Sequence, residues 1–127
     1  MERYCITLLQ AKRLVELGFD QGSDYFWLEE KAYPDNAILM EDEEIPIGVD
    51  APAFNVYMAY HVGELGEILP QVIKHSGESW ALGFDRIGLR WAYYYQQFDQ
   101  DSAYVEASTE AEARGALLIY LLENKLI

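Results

Sequence analysis

"SWALGFDRIGLRWAYYYQQFDQDSAYVEAS", residues 79–108, decides the fold class. Trp80, Leu82 and Phe84 alternate at its start. Leu89, Trp91, Tyr93 and Tyr95 then alternate against Ala92, Tyr94 and Gln96. Successive side chains of a strand point to opposite faces, so a period of two over these residues predicts strands. "DRIG" (85–88) offers a first turn with Gly88 free to take a positive φ, and "DQDS" (99–102) offers a second. Tyr104 and Glu106 then oppose Val105 in a third strand. Connections this short cannot carry a parallel crossover, so the three strands form an antiparallel meander.

Helices flank the meander. "TLLQAKRLVELGFD" (7–20) opens with a capping box, Thr7 with Gln10, and Gly18 suits the left-handed residue that ends a helix. Leu8, Ala11 and Val15 make its expected apolar face, with Leu14 and Leu17 beside them. "YHVGELGEILPQVIK" (60–74) predicts a second helix that Pro70 ends or bends, with Gly63 and Gly66 allowing close approach to a sheet. "STEAEARGALLIYLLENKLI" (108–127) predicts a third, capped by Thr109 with Glu112 and stopped near Asn124. Its wide apolar stripe calls for burial on more than one side or a dimer contact. Between the first two helices, "SDYFWLEE" (23–30) reads as a strand and "AILM" (37–40) as a short one. The expected order is α-β-(β)-α-β-β-β-α, a single α+β domain with an antiparallel sheet of about four to five strands and three helices.

Composition narrows the function classes. The 127-residue chain is 51% apolar and 14% aromatic, well inside the globular range. It carries 22 acids against 9 bases, a net charge of −13. Residues 20–50 hold ten of the acids and only Lys31 to offset them. No Lys/Arg stripe is available to release counterions from a phosphate backbone, so direct nucleic-acid binding is not expected. The same charge disfavours anionic membrane surfaces, and no apolar run is long enough to span a bilayer. The N-terminus lacks the basic and apolar regions of a signal peptide, which leads to a cytoplasmic expectation.

No motif announces catalysis. His61 reads as a helix cap, His75 as a cation suited to the end of the second helix, and Cys5 as a packed thiol. There is no phosphate-binding glycine loop and no zinc-ligand pair. The run Glu41, Asp42, Glu43 and Glu44 lacks the spacing and glycine of a calcium loop, and reads as a solvated acidic segment able to meet a basic partner. No catalytic residue, metal ligand or cofactor is therefore assigned. "RWAYYYQQF" (90–98) resembles in composition the aromatic platforms that stack bases, but those come with basic neighbours and here the local cation is Arg90. The stretch reads as core or subunit interface; if one face is open, Arg90, Tyr94 and Gln96 are the expected contact residues.

Three segments carry a family likeness: "LLQAKRLVELGFDQGSDYFWLEE", "AYHVGELGEILPQVI" and "EASTEAEARGALLIYLLENKLI". With its leading helix ending in Leu-Gly-Phe and its closing Ala-rich helix ending in Leu-Leu-Glu-Asn, the chain resembles small phage- or prophage-associated α+β proteins of gut Bacteroidetes. His61 stands where those proteins usually have a Thr or Ser cap. The resemblance implies a fold and a genomic setting and supplies no catalytic residues. Together these features lead to an expected non-enzymatic accessory protein that binds another protein, a homodimer being one form of that contact. The alternatives are an acidic inhibitor or immunity protein for a basic nuclease or toxin, with DNA mimicry as one means, and a small-molecule binder with an aromatic pocket.

Overall fold

The computed structural model describes residues 2–34, 36–41, 53–97 and 100–127. A 3-10 turn, Glu2–Tyr4, leads into α1 (Leu8–Glu16), β1 (Tyr25–Glu30), β2 (Ala37–Glu41), β3 (Phe54–Met58) and α2 (Val62–Ile68). Then come β4 (Val72–His75), β5 (Glu78–Ile87), β6 (Arg90–Gln97), β7 (Gln100–Ala107) and α3 (Glu110–Glu123). The expected element order and the α+β class hold. The single sheet does not: the strands divide into a three-stranded sheet, β2-β1-β3, and a four-stranded sheet, β4-β5-β6-β7, both antiparallel.

The additional strands have local causes. β4 occupies the tail of the segment read as the second helix. Pro70 lacks the N–H that helical continuation needs, and the β-branched pair Val72-Ile73 favours extension. Ser76 and Gly77, at φ +55° and +78°, form a two-residue turn with positive φ at both positions, the hairpin geometry that matches strand twist. His75 therefore pairs with Glu78 across a hairpin instead of ending a helix. The next turn falls on Gly88 and Leu89, between the paired Ile87 and Arg90, and Gly88 takes φ +62°. In β7 the register slips between Tyr93 and Tyr95: Val105 faces Tyr93 and Ser102 faces Tyr95. Tyr94 thus meets two residues, and Ala103 takes up the extra length at φ +57°.

The helix termini follow their sequence signals. Thr7 Oγ1 accepts from the Gln10 N–H at 3.1 Å, and the Gln10 side chain accepts from the Thr7 N–H. At the other end Phe19 N–H donates to Leu14 C=O and Gly18 N–H to Val15 C=O, the paired bonds of a glycine stop. The buried face of α1 is Ala11 and Leu14, while Val15, expected inside, is half exposed. α3 repeats this stop with Lys125 at φ +54° and Leu126 N–H donating to Leu121 C=O.

α3 is the centre of the molecule. It packs on β6, β7, α1, α2 and the N-terminal turn, which accounts for its burial on several sides. Ala111, Ala113, Gly115, Leu117, Leu118 and Leu121 are buried. The core joins this helix to Tyr93 and Tyr95 of β6, Trp80 of β5 and Ile73 of β4. Trp27 of β1, Leu65 of α2 and the segment Cys5-Ile6 complete it. Trp27 Nε1 donates to Ile6 C=O at 3.0 Å, so the first residues are stitched to the three-stranded sheet.

Candidate functional site

Tyr93 and Tyr95 face α3 and Tyr94 faces away, so β6 carries aromatic side chains on both faces. On the far face Arg90, Tyr94 and Gln96 line up along β6, as the sequence placed them. Arg90 and Gln96 are exposed, but Tyr94 is only 8% exposed. Its ring lies on Gly83, where a Cβ would come within 2.6 Å of it, and it stacks on Tyr104 with ring centroids 5.9 Å apart. Its hydroxyl donates to Asp85 at 2.9 Å, which raises the Tyr94 pKa. This face also carries Asp101 and Glu106, so its tyrosines sit in a negative field rather than in the basic surround of a base-stacking platform. Glu41 ends β2 in the other sheet, paired with Tyr25 of β1. Asp42, Glu43 and Glu44 lie outside the described residues.

His61 and Cys5 have structural settings. His61 Nδ1 accepts from the Gly63 N–H at 3.1 Å while the His61 N–H donates to Glu64 at 2.7 Å, an N-cap of α2 in which imidazole takes the usual hydroxyl's place. Glu64 also accepts from Ser23 Oγ at 2.8 Å and from the Asp24 N–H at 3.1 Å, which ties the loop before β1 to α2. Cys5 is 1% exposed, and burial followed by the Glu64 charge pushes its thiol up to about 11. Among the described residues no group of three or more His, Cys, Asp or Glu is placed to hold a metal ion, and no described helix is long and apolar enough to cross a membrane.

One polar network escaped the sequence. Arg114 of α3 donates from Nε to the Tyr93 hydroxyl (3.0 Å), from Nη2 to Glu110 (2.8 Å) and from Nη1 to the Val62 carbonyl (2.6 Å). The Tyr93 hydroxyl donates to the same Glu110 oxygen at 2.6 Å. Burial, with the Glu110 bond next, pushes Tyr93 up to about 12. In the sequence Glu110 and Arg114 resemble an ordinary surface pair four apart; only the fold brings Tyr93 and α2 to them. The network joins α2, α3 and β6. A second buried charge is Glu29 on the core-facing side of β1, paired with Lys12 of α1 and accepting from Asn55 at 3.4 Å.

The opposite face of the three-stranded sheet has a different chemistry. Its cross-strand rows are Ile38–Leu28–Val56 and Met40–Phe26–Met58, with Phe54 beside Glu30. Tyr25 and Trp27 on one side of β1 and Phe26 and Leu28 on the other give its first four residues the pattern of a strand covered on both faces. Yet Ile38 and Val56 are 64% and 50% exposed. A cavity of about 310 Å³ lies on this face, lined by Leu28, Ile38, Phe54 and Glu30 among others. Sequence reasoning missed the face because β3 was not expected. Its signal was the apolar and β-branched composition of "FNVYM" (54–58).

No family model matches the chain, and no curated protein or solved structure shows significant similarity to it.

Proposed function

We propose that this is a non-enzymatic accessory protein that works by binding another protein through the outer face of the three-stranded sheet. The observation carrying this reading is the row Ile38–Leu28–Val56, whose outer two members are more exposed than side chains of that kind are in a finished core. Glu30 borders the row beside Phe54, and ten of the chain's acids fall in residues 20–50. An apolar centre with an acidic border suits a partner with an apolar patch ringed by Lys and Arg. A phage or prophage setting, in line with the sequence resemblance, accords with a small dedicated binding protein.

A second reading shares this chemistry. The ten acids of residues 20–50 favour a basic toxin or nuclease as the partner, with the protein acting as its inhibitor. Both readings are tested by Ile38→Glu and Val56→Glu, exposed positions where the folded state tolerates a charge. Burying either side chain in an interface stabilises by about 1.5–3 kcal/mol. Each variant should therefore weaken capture of the partner by about tenfold or more, whereas Arg90→Gln on the other sheet should leave it unchanged. Capture that survives both glutamates would refute this placement of the interface. Light scattering on the same variants identifies the partner as a second copy if a wild-type dimer becomes monomeric.

A further inference from the structure

A second cleft shares no lining residue with that apolar face and carries two arginines. It measures about 290 Å³ and is walled by Arg3 and Tyr4 of the N-terminal turn, Arg86 of β5, Trp91 of β6 and the start of α3 at Thr109. The chain has five arginines. Arg13 and Arg114 are paired with carboxylates, and among the described residues Arg3, Arg86 and Arg90 have none within ion-pair distance. Two of those three line this single cleft in a protein of net charge −13. In a chain with 22 acids, two arginines without a carboxylate sharing one cavity leave a positive site open to an anion.

The side chains are also organised for one. Arg86 lies over the Trp91 ring, 5.1 Å from its centroid, and Arg3 over the Tyr4 ring at 5.7 Å. A guanidinium set against an aromatic ring instead of a carboxylate keeps N–H groups for the two-pronged bonds that carboxylates and phosphates accept. The carboxylate in the wall, Glu110, is already held by Arg114 and Tyr93, so it does not neutralise the two arginines. Trp91 is partly exposed and Leu89 is 84% exposed at the rim, which adds flat apolar surface beside the charge. The volume lies at the lower end of small-molecule sites, which run from about 300 to 1,000 Å³.

We propose that this cleft binds a small organic anion, a carboxylate or phosphate borne on a single planar ring, with Arg86 and Arg3 holding the anion and Trp91 lying beside the ring. The assignment does not depend on the apolar face of the other sheet. Titrations followed by calorimetry, with the Trp91 indole resonance as a site-specific readout, use phenyl phosphate and benzoate as probes. Inorganic phosphate and benzyl alcohol separate the contributions of anion and ring.

Saturable binding of at least one ring anion with Kd below about 1 mM is expected, weaker for either half alone. Arg86→Gln and Arg3→Gln should each weaken it by about tenfold, and raised salt should weaken it further. Arg90→Gln, outside the cleft, should change it by less than about twofold. Unchanged thermal midpoints show that the variants keep the fold. No saturation by either ring anion at about 10 mM would overturn the proposal. So would affinity that survives both arginine substitutions, or benzyl alcohol binding as tightly as benzoate.

Discussion

Replacing Gly66 by Ala would, in an exposed stretch of helix, stabilise α2 by about 1 kcal/mol, because alanine loses less backbone entropy than glycine. Here a Cβ at position 66 would stand 2.6 Å from Arg114 Nη1 and 3.5 Å from its Cζ. The guanidinium can swing away, but only by leaving the Val62 carbonyl that Nη1 holds at 2.6 Å and by disturbing its bonds to Tyr93 and Glu110. A hydrogen bond to a charged group contributes about 1.5–3 kcal/mol, and the Arg114 side chain, 22% exposed, recovers part of that from water. The loss therefore exceeds the helix gain, and Gly66→Ala should destabilise the protein by about 0.5–1.5 kcal/mol. In an Arg114→Met background the obstruction is gone, and the same substitution should stabilise by about 1 kcal/mol. Urea unfolding of the four proteins at one pH, with m-values checked for constancy, measures the cycle. A coupling below about 0.5 kcal/mol would refute the close approach of Gly66 to Arg114.

Two further outcomes concern titration. With its folded-state value at about 11, the Cys5 thiol should react with a disulfide reagent at pH 8 about a hundredfold more slowly than a free thiol, and at the ordinary rate once urea unfolds the chain; fast native labelling would show an open N-terminal segment. Stability should also fall at both ends of the pH range, as measured by urea midpoints. Glu29 is held below the usual carboxylate range chiefly by Lys12, so its contribution is complete above the unfolded carboxylate pKa and is lost as pH falls through the lowered folded value. Tyr60, Tyr93 and Tyr95 are pushed up to about 12, chiefly by burial, so their contribution is complete below the unfolded tyrosine pKa of about 10 and is lost as pH rises toward 12. Glu29→Gln should flatten the acid limb without moving the alkaline one.

What the sequence showed was chiefly local. The Thr7–Gln10 box, the Thr109 cap, the Gly18 stop and the alternation in 80–84 and 91–96 depend on neighbours in the chain and hold, whereas the Glu112 side chain accepts from Ser108 instead of closing the expected box with Thr109, and Leu89 falls in a turn. The division into two sheets depends on distant pairing. β3 follows a segment with Pro46 and Pro52 that obscured it, and β4 is a short stretch that helical spacing also fits. The contact residues show the same contrast. Alternation put Arg90, Tyr94 and Gln96 on one face, but Tyr94 is covered by its own cross-strand neighbours, through a glycine whose missing side chain makes the space. The Arg3–Arg86 cleft and the Arg114 network join residues more than fifty positions apart, and no spacing rule reaches that far.

The placement of α3 bears on how the chain acquires its shape. Both β6 and β7, along with α1, α2 and the first turn, rest against a helix that leaves the ribosome after all of them. Until residues 110–123 emerge, Tyr93, Tyr95 and Leu65 have no wall to close against, and the nascent chain holds an incomplete interior. Folding should thus be abrupt once residues 110–123 have emerged, and the two sheets should melt together when α3 is cut away.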